Sequence, residues 1–139
     1  MTAAIIGVAL AALVGLFAHA VGYDRDRSFY AVVLTVVGSM YVLFTVMAGG
    51  GHYLVPEIAF FTVFATFAVI GFRTSLWIVA AGLALLGVFD FFRHFVPMGR
   101  GVPEWWPAFC GAYDVVAALG LATLLLAERR RQAPTLKLK

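Results

Sequence analysis

Four long stretches of this sequence, residues 1–23, 28–56, 58–72 and 74–89, contain no Asp, Glu, Lys or Arg. A fifth, residues 105–127, is interrupted only by Asp114. A 139-residue chain cannot hide five such segments from water in a core of its own making. Composition gives the same answer: 63% of the residues are hydrophobic and 12% charged, against about 45–50% and about 25% in soluble domains. A water-soluble fold and a disordered chain are both excluded. A disulfide scaffold is excluded because Cys110 is the only cysteine. The class that remains is an all-α integral membrane protein, with a length that suits one domain rather than two.

A helix needs about 20 apolar residues to cross about 30 Å of hydrocarbon. The uncharged stretches therefore predict a bundle of five transmembrane helices over residues 3–21, 29–49, 56–72, 75–95 and 105–127. Residues 1–131 form the membrane domain, and 132–139 are expected to be a disordered basic tail. Joined into one helix, residues 56–95 would be about 60 Å long, twice the membrane thickness. The Gly71-Phe72-Arg73-Thr74-Ser75 segment offers a C-cap glycine followed by N-cap hydroxyls, so two helices are expected, with a re-entrant hairpin as the alternative. Ala18-His19-Ala20 mimics a signal-peptidase site, but Met1-Thr2-Ala3-Ala4 lacks the basic residues of a signal peptide, and the first span is expected to be retained.

The basic residues give an orientation. With the C-terminus in the cytoplasm, Arg25, Arg27, Arg73, Arg129, Arg130, Arg131, Lys137 and Lys139 all lie inside, and only Arg93 and Arg100 lie outside. This obeys the positive-inside rule and predicts the N-terminus outside, as in a multi-pass protein of the bacterial inner (plasma) membrane. The basic tail suits anionic lipid headgroups. Without interleaved aromatics, it gives no reason to expect a nucleic-acid partner.

Helices in lipid associate through small residues and interhelical hydrogen bonds. Ala3, Gly7, Ala11 and Gly15 form such a stripe on the first helix, a candidate face for a second copy or a partner membrane subunit. On the second helix Gly38, Tyr41, Thr45, Ala48 and His52 share a moderately polar face. Pro56-Glu57 and Pro103-Glu104 read as outer-surface helix starts, with each carboxylate at the positive end of a helix dipole. Trp105 and Trp106 read as an interfacial belt.

Asp90 and Asp114 do not fit a purely apolar bundle. An Asp at the centre of a span is disfavoured by about 2.5–3.5 kcal/mol, so intramembrane acids face a partner or a cavity. Measured along their helices, Asp114 lies about 12–14 Å below the tryptophans and Asp90 about 22 Å from the cytoplasmic end. On consecutive antiparallel helices the two acids reach similar depth in the outer half of the bundle. Arg93 and His94 share the face of Asp90. The pattern predicts an outward-opening polar pocket with Asp90, His94 and Asp114 as acid–base residues. Arg93, Tyr41, Thr45, Tyr113, His52 and Glu57 would bind around it. A structural alternative pairs Arg93 with Asp90 and caps Asp114 with Tyr41 or Thr45.

Burial favours the neutral forms of carboxylic acids and imidazoles, which suits them to acid–base work near neutral pH. The leading expectation is acid–base chemistry on a lipid-like substrate drawn from the bilayer. A proton-coupled transporter or channel working as a homo-oligomer is the first alternative, and an accessory or assembly subunit of a membrane complex the second. No covalent mechanism is expected, because Asp114 discourages thiolate formation at Cys110. No cofactor is expected either. The histidines and carboxylates could hold zinc or a harder ion, but no H-E-x-x-H or paired-histidine spacing supports a metal.

Overall fold

Each uncharged stretch forms one helix. In the computed structural model, which describes residues 1–93, 95 and 101–136 (for 134–136 only the course of the helix), these are α1 Thr2–Val21, α2 Ser28–Met47, α3 Leu54–Arg73, α4 Leu76–Arg93 and α5 Trp106–Leu136. Short 3-10 turns occupy Tyr23–Arg25 and Gly51–Tyr53, and no strand occurs among the described residues. All five helices are long and apolar enough to span a membrane.

The helix ends follow from local chemistry. Gly22 ends α1 in the left-handed conformation (φ 88°), donating its N–H to the Ala18 carbonyl at 2.8 Å. Asp26 opens α2 by accepting the Ser28 N–H at 2.9 Å. Gly49, Gly50 and Gly51 all take positive φ, which stops α2 and turns the chain into α3. Pro56 falls inside the first turn of α3, where its missing N–H leaves no bond unmade.

Several boundaries differ from the sequence expectation. α5 continues to Leu136, so the first part of the segment expected as a disordered tail is helical. Gly71 is not a cap: it lies inside α3, buried, where a Cβ would sit 2.5 Å from Val79 Cγ2. Its role is to let α3 and α4 touch beside their turn. Arg27 crosses to that turn and donates to the carbonyls of Phe72 (3.2 Å) and Thr74 (3.4 Å), which ties the start of α2 to the α3–α4 hairpin.

α5 packs along α4 on one side and α1 on the other, α3 lies between α2 and α4, and α2 also touches α4. Leu34, Val79, Leu83, Leu86, Phe64 and Leu121 are among the residues that fill the interior, while Ile5, Leu13, Leu16, Phe17, Met47 and Val55 point outward. Large apolar side chains cover the outside while Glu57, Asp90 and Asp114 are inside, an arrangement suited to lipid rather than water. Gly7 and Ala11 of the small-residue stripe are buried. A Cβ on Gly7 would lie 2.2 Å from the Phe109 carbonyl oxygen, so this part of the stripe packs against α5 of the same chain.

Candidate functional site

Four of the five helices bring polar side chains to one buried cluster. Asp90 (0% exposed) and Arg93 (5%) come from α4, Asp114 (0%) and Cys110 from α5, Glu57 (1%) from α3, and Tyr41 from α2. The close approach of α4 and α5 makes the meeting feasible. A Cβ on Gly111 would stand 3.1 Å from the Gly87 carbonyl and 3.3 Å from Asp90 Cβ, and one on Gly87 would stand 2.9 Å from Val115. Short side chains on two neighbouring helices can meet only where the backbones come this close. One oxygen of Asp90, one oxygen of Asp114 and the Cys110 sulfur accordingly lie within 4.8 Å of one another. The convergence of the two acids expected from their depths is therefore present.

The internal pairing differs from both sequence expectations. Arg93 Nη2 donates to Glu57 Oε1, not to Asp90, and its guanidinium carbon lies over the Tyr41 ring, 3.7 Å from the centroid. Glu57 is in the first turn of α3, as the Pro-Glu reading requires, yet its carboxylate points into the protein as a buried ion-pair partner rather than outward as a surface helix start. Tyr41 donates its hydroxyl to Asp90 Oδ1 at 2.7 Å, so it caps Asp90 and not Asp114. The Cys110 thiol faces Asp114 Oδ2 at 3.9 Å. Thr45 is fully buried, and its Oγ1 makes no hydrogen bond among the described residues. Glu57 Oε2, Asp90 Oδ2, Arg93 Nη1 and Asp114 Oδ1 are likewise buried without a partner among the described residues.

Two expected members stand apart. His52 is exposed in the turn before α3, its ring against Tyr53 at 4.1 Å. Tyr113 is half-buried and lines a cleft with Phe29, Val33 and Val37 of α2, away from the acids. Its neighbour Asp114 points into the cluster because successive helical residues are rotated by about 100°. His94 lies outside the described residues. The cluster is also enclosed, where the sequence pattern predicts an open pocket. Cys110 is the member that sequence reasoning missed as a site residue, although its four-residue spacing from Asp114 puts both on one face of α5.

Aromatic side chains lie nearby. Trp106 meets Phe44 edge-on at 4.9 Å, and Phe60 lies tilted against Phe89 at 4.3 Å beside the Arg93 guanidinium. Such walls exclude water and strengthen every electrostatic interaction within them. Comparisons with protein-family models, with curated proteins and with solved structures yield no match.

Proposed function

We propose that the chain is a small multi-pass membrane protein that handles cations at the buried Asp90–Asp114 centre, working as a proton-coupled transporter. The observation that carries this reading is the charge count. Among the described residues, Glu57, Asp90 and Asp114 converge in the interior against one guanidinium, and Glu57 already engages it. Full ionisation would leave two negative charges uncompensated in a setting where desolvation of each is worth several kcal/mol. The centre is neutral only when it holds positive charge, as protons on the carboxyls or as a bound cation. Asp90 and Asp114 have no exposure, which favours this reading over acid–base chemistry on a lipid-like substrate. The reacting atoms of such a substrate would have to reach the carboxylates, whereas a proton or small ion needs no comparable opening.

The interior is filled by side chains, so a transport path implies assembly of several copies. We orient the chain with its N-terminus outside and its C-terminus in the cytoplasm of a plasma (bacterial inner) membrane. The contacts of Arg27 with Phe72 and Thr74, and of the Arg129 guanidinium with the Trp77 ring at 5.5 Å, gather basic residues at one end of the bundle and support this orientation. Asp90 and Arg93 are near the opposite end of α4, towards the outer face.

The test is proton flux into vesicles that carry the purified protein and an internal pH dye, driven by an imposed potential. The expected result is flux above that of protein-free vesicles, lost in Asp90→Asn and Asp114→Asn variants that remain monodisperse and helical. Wild-type vesicles no leakier than protein-free ones would overturn the transport reading.

A further inference from the structure

Charge balance does not identify the cation, but the donor atoms narrow it. We propose that Asp90, Cys110 and Asp114 form a binding site for one divalent metal ion of the zinc class, an inference that rests on the cation-handling reading above. The three donor atoms lie within 4.8 Å of one another and come from two packed helices. Zinc holds oxygen at about 2.0–2.2 Å and sulfur at about 2.3 Å, which sets tetrahedral donors about 3.3–3.6 Å apart. Closing the present arrangement onto an ion therefore takes side-chain movements of about 1 Å. Cys110 and Asp114 are one turn apart on the same face of α5, a spacing that lets a helix offer two ligands to one ion.

A separate observation points to a ligand. Asp90 Oδ2 and Asp114 Oδ1 are wholly buried and find no hydrogen-bond donor among the described residues. A buried carboxylate oxygen left in that condition is strongly unfavourable, and a cation between the two carboxylates satisfies both. The outer sphere is in place as well. The Tyr41 hydroxyl holds Asp90 Oδ1 at 2.7 Å, which fixes the carboxylate and leaves Oδ2 free to coordinate. With Cys110 bound as a thiolate, the divalent charge offsets two of the three negative charges that Arg93 does not neutralise.

The donor set selects the metal. Calcium takes six or more oxygen donors and magnesium a near-ideal oxygen octahedron, while copper(I) prefers sulfur throughout. One thiolate and two carboxylates suit zinc or cobalt(II) and leave the fourth tetrahedral position for water or a transported group. On binding, the Cys110 S–H bond breaks, the sulfur pair forms the metal bond and the proton passes to bulk water, with no change of oxidation state.

The experiment is cobalt(II) titration of chelator-stripped protein in detergent, followed by zinc competition. The expected result is one cobalt per chain with a thiolate-to-cobalt charge-transfer band, displaced by zinc. The band should be absent in Cys110→Ser, a near-isosteric change. Zinc affinity should fall about 10–100-fold in Tyr41→Phe, as for other outer-sphere partners. Circular dichroism and gel filtration establish that each variant is folded. Cobalt bound without the charge-transfer band, or with wild-type stoichiometry in an Asp90→Asn/Cys110→Ser/Asp114→Asn variant, would overturn the metal site. Absence of binding together with intact proton flux in stripped vesicles would remove the metal and leave the proton reading standing. Absence of both would remove the cation-handling reading itself.

Discussion

Arg93 of α4 and Glu57 of α3 form an ion pair with side-chain exposures of only 3% and 2%. The pair joins two helices through charges that lipid cannot solvate, so its members are not equivalent. Arg93 is also within electrostatic range of Asp90 and stacks on Tyr41. Removing the carboxylate of Glu57 leaves the guanidinium a second acid to lean on. Removing Arg93 leaves three acids without the guanidinium that faces them. The expected outcome is that Arg93→Ala destabilises the protein by about 3–5 kcal/mol, the range for breaking a buried pair, and that Glu57→Gln has a smaller effect. Denaturant midpoints in mild detergent measure both. Equal effects would show that Arg93 serves Glu57 alone.

Tyr41 supplies two separable interactions, a hydroxyl to Asp90 and a ring face to Arg93. Tyr41→Phe keeps the face and removes the donor, leaving both Asp90 oxygens without one. A loss of about 1–3 kcal/mol is expected from the stranded acceptor. Tyr41→Leu should lose more, because the cation–π contact goes as well. If Phe and Leu gave the same midpoint in thermal unfolding, the stacking of Arg93 would carry no weight.

The spans were legible because ionisable residues inside a bilayer are rare enough to mark the helix ends. The meeting of Asp90 with Asp114 was legible for a related reason: two consecutive antiparallel helices share one depth scale, so residue counts translate into position. Rotation about the helix axis was less accessible. Tyr113 immediately precedes Asp114 yet faces α2, and His52 is separated from the Tyr41 face by three glycines with positive φ. The Glu57–Arg93 pair was hidden because Pro56-Glu57 has a sufficient local explanation as a helix start, and nothing local reveals where the carboxylate points. The four-residue spacing of Cys110 and Asp114 was present in the sequence, but its chemistry emerges only when α4 adds Asp90 across Gly87 and Gly111.

Asp26 offers a pH dependence outside the membrane-spanning segments. Its carboxylate accepts the Ser28 N–H, and that bond holds its pKa below the ordinary carboxylate range. A depressed folded-state value means that this bond contributes fully above the unfolded pKa of about 4 and fades as pH falls through the folded value. Asp26→Ala should therefore lower the melting temperature at pH 6, with the gap to wild type closing as pH drops below about 4. Melting curves of the two proteins across that interval decide the matter, and a gap unchanged with pH would exclude the carboxylate's bond to Ser28 as the source.

Gly7 and Gly15 belong to one stripe on α1, yet their surroundings differ completely. A Cβ on Gly7 would lie 2.2 Å from the Phe109 carbonyl oxygen, whereas one on Gly15 meets nothing within 4 Å. The obstacle at Gly7 is backbone, which no rotamer change relieves, so Gly7→Ala must push α1 away from α5. Overpacking of this kind costs about 1–3 kcal/mol. Gly15→Ala adds a methyl in open space and removes a flexible helix residue, an expected gain of about 0.5–1 kcal/mol. Because Phe109 immediately precedes Cys110, displacement of α1 at Gly7 also bears on the segment of α5 that holds the buried thiol. A cysteine-reactive probe should therefore label Cys110 faster in Gly7→Ala than in wild type, while Gly15→Ala leaves the rate unchanged. Equal labelling in all three proteins would mean that the α1–α5 contact does not guard the site.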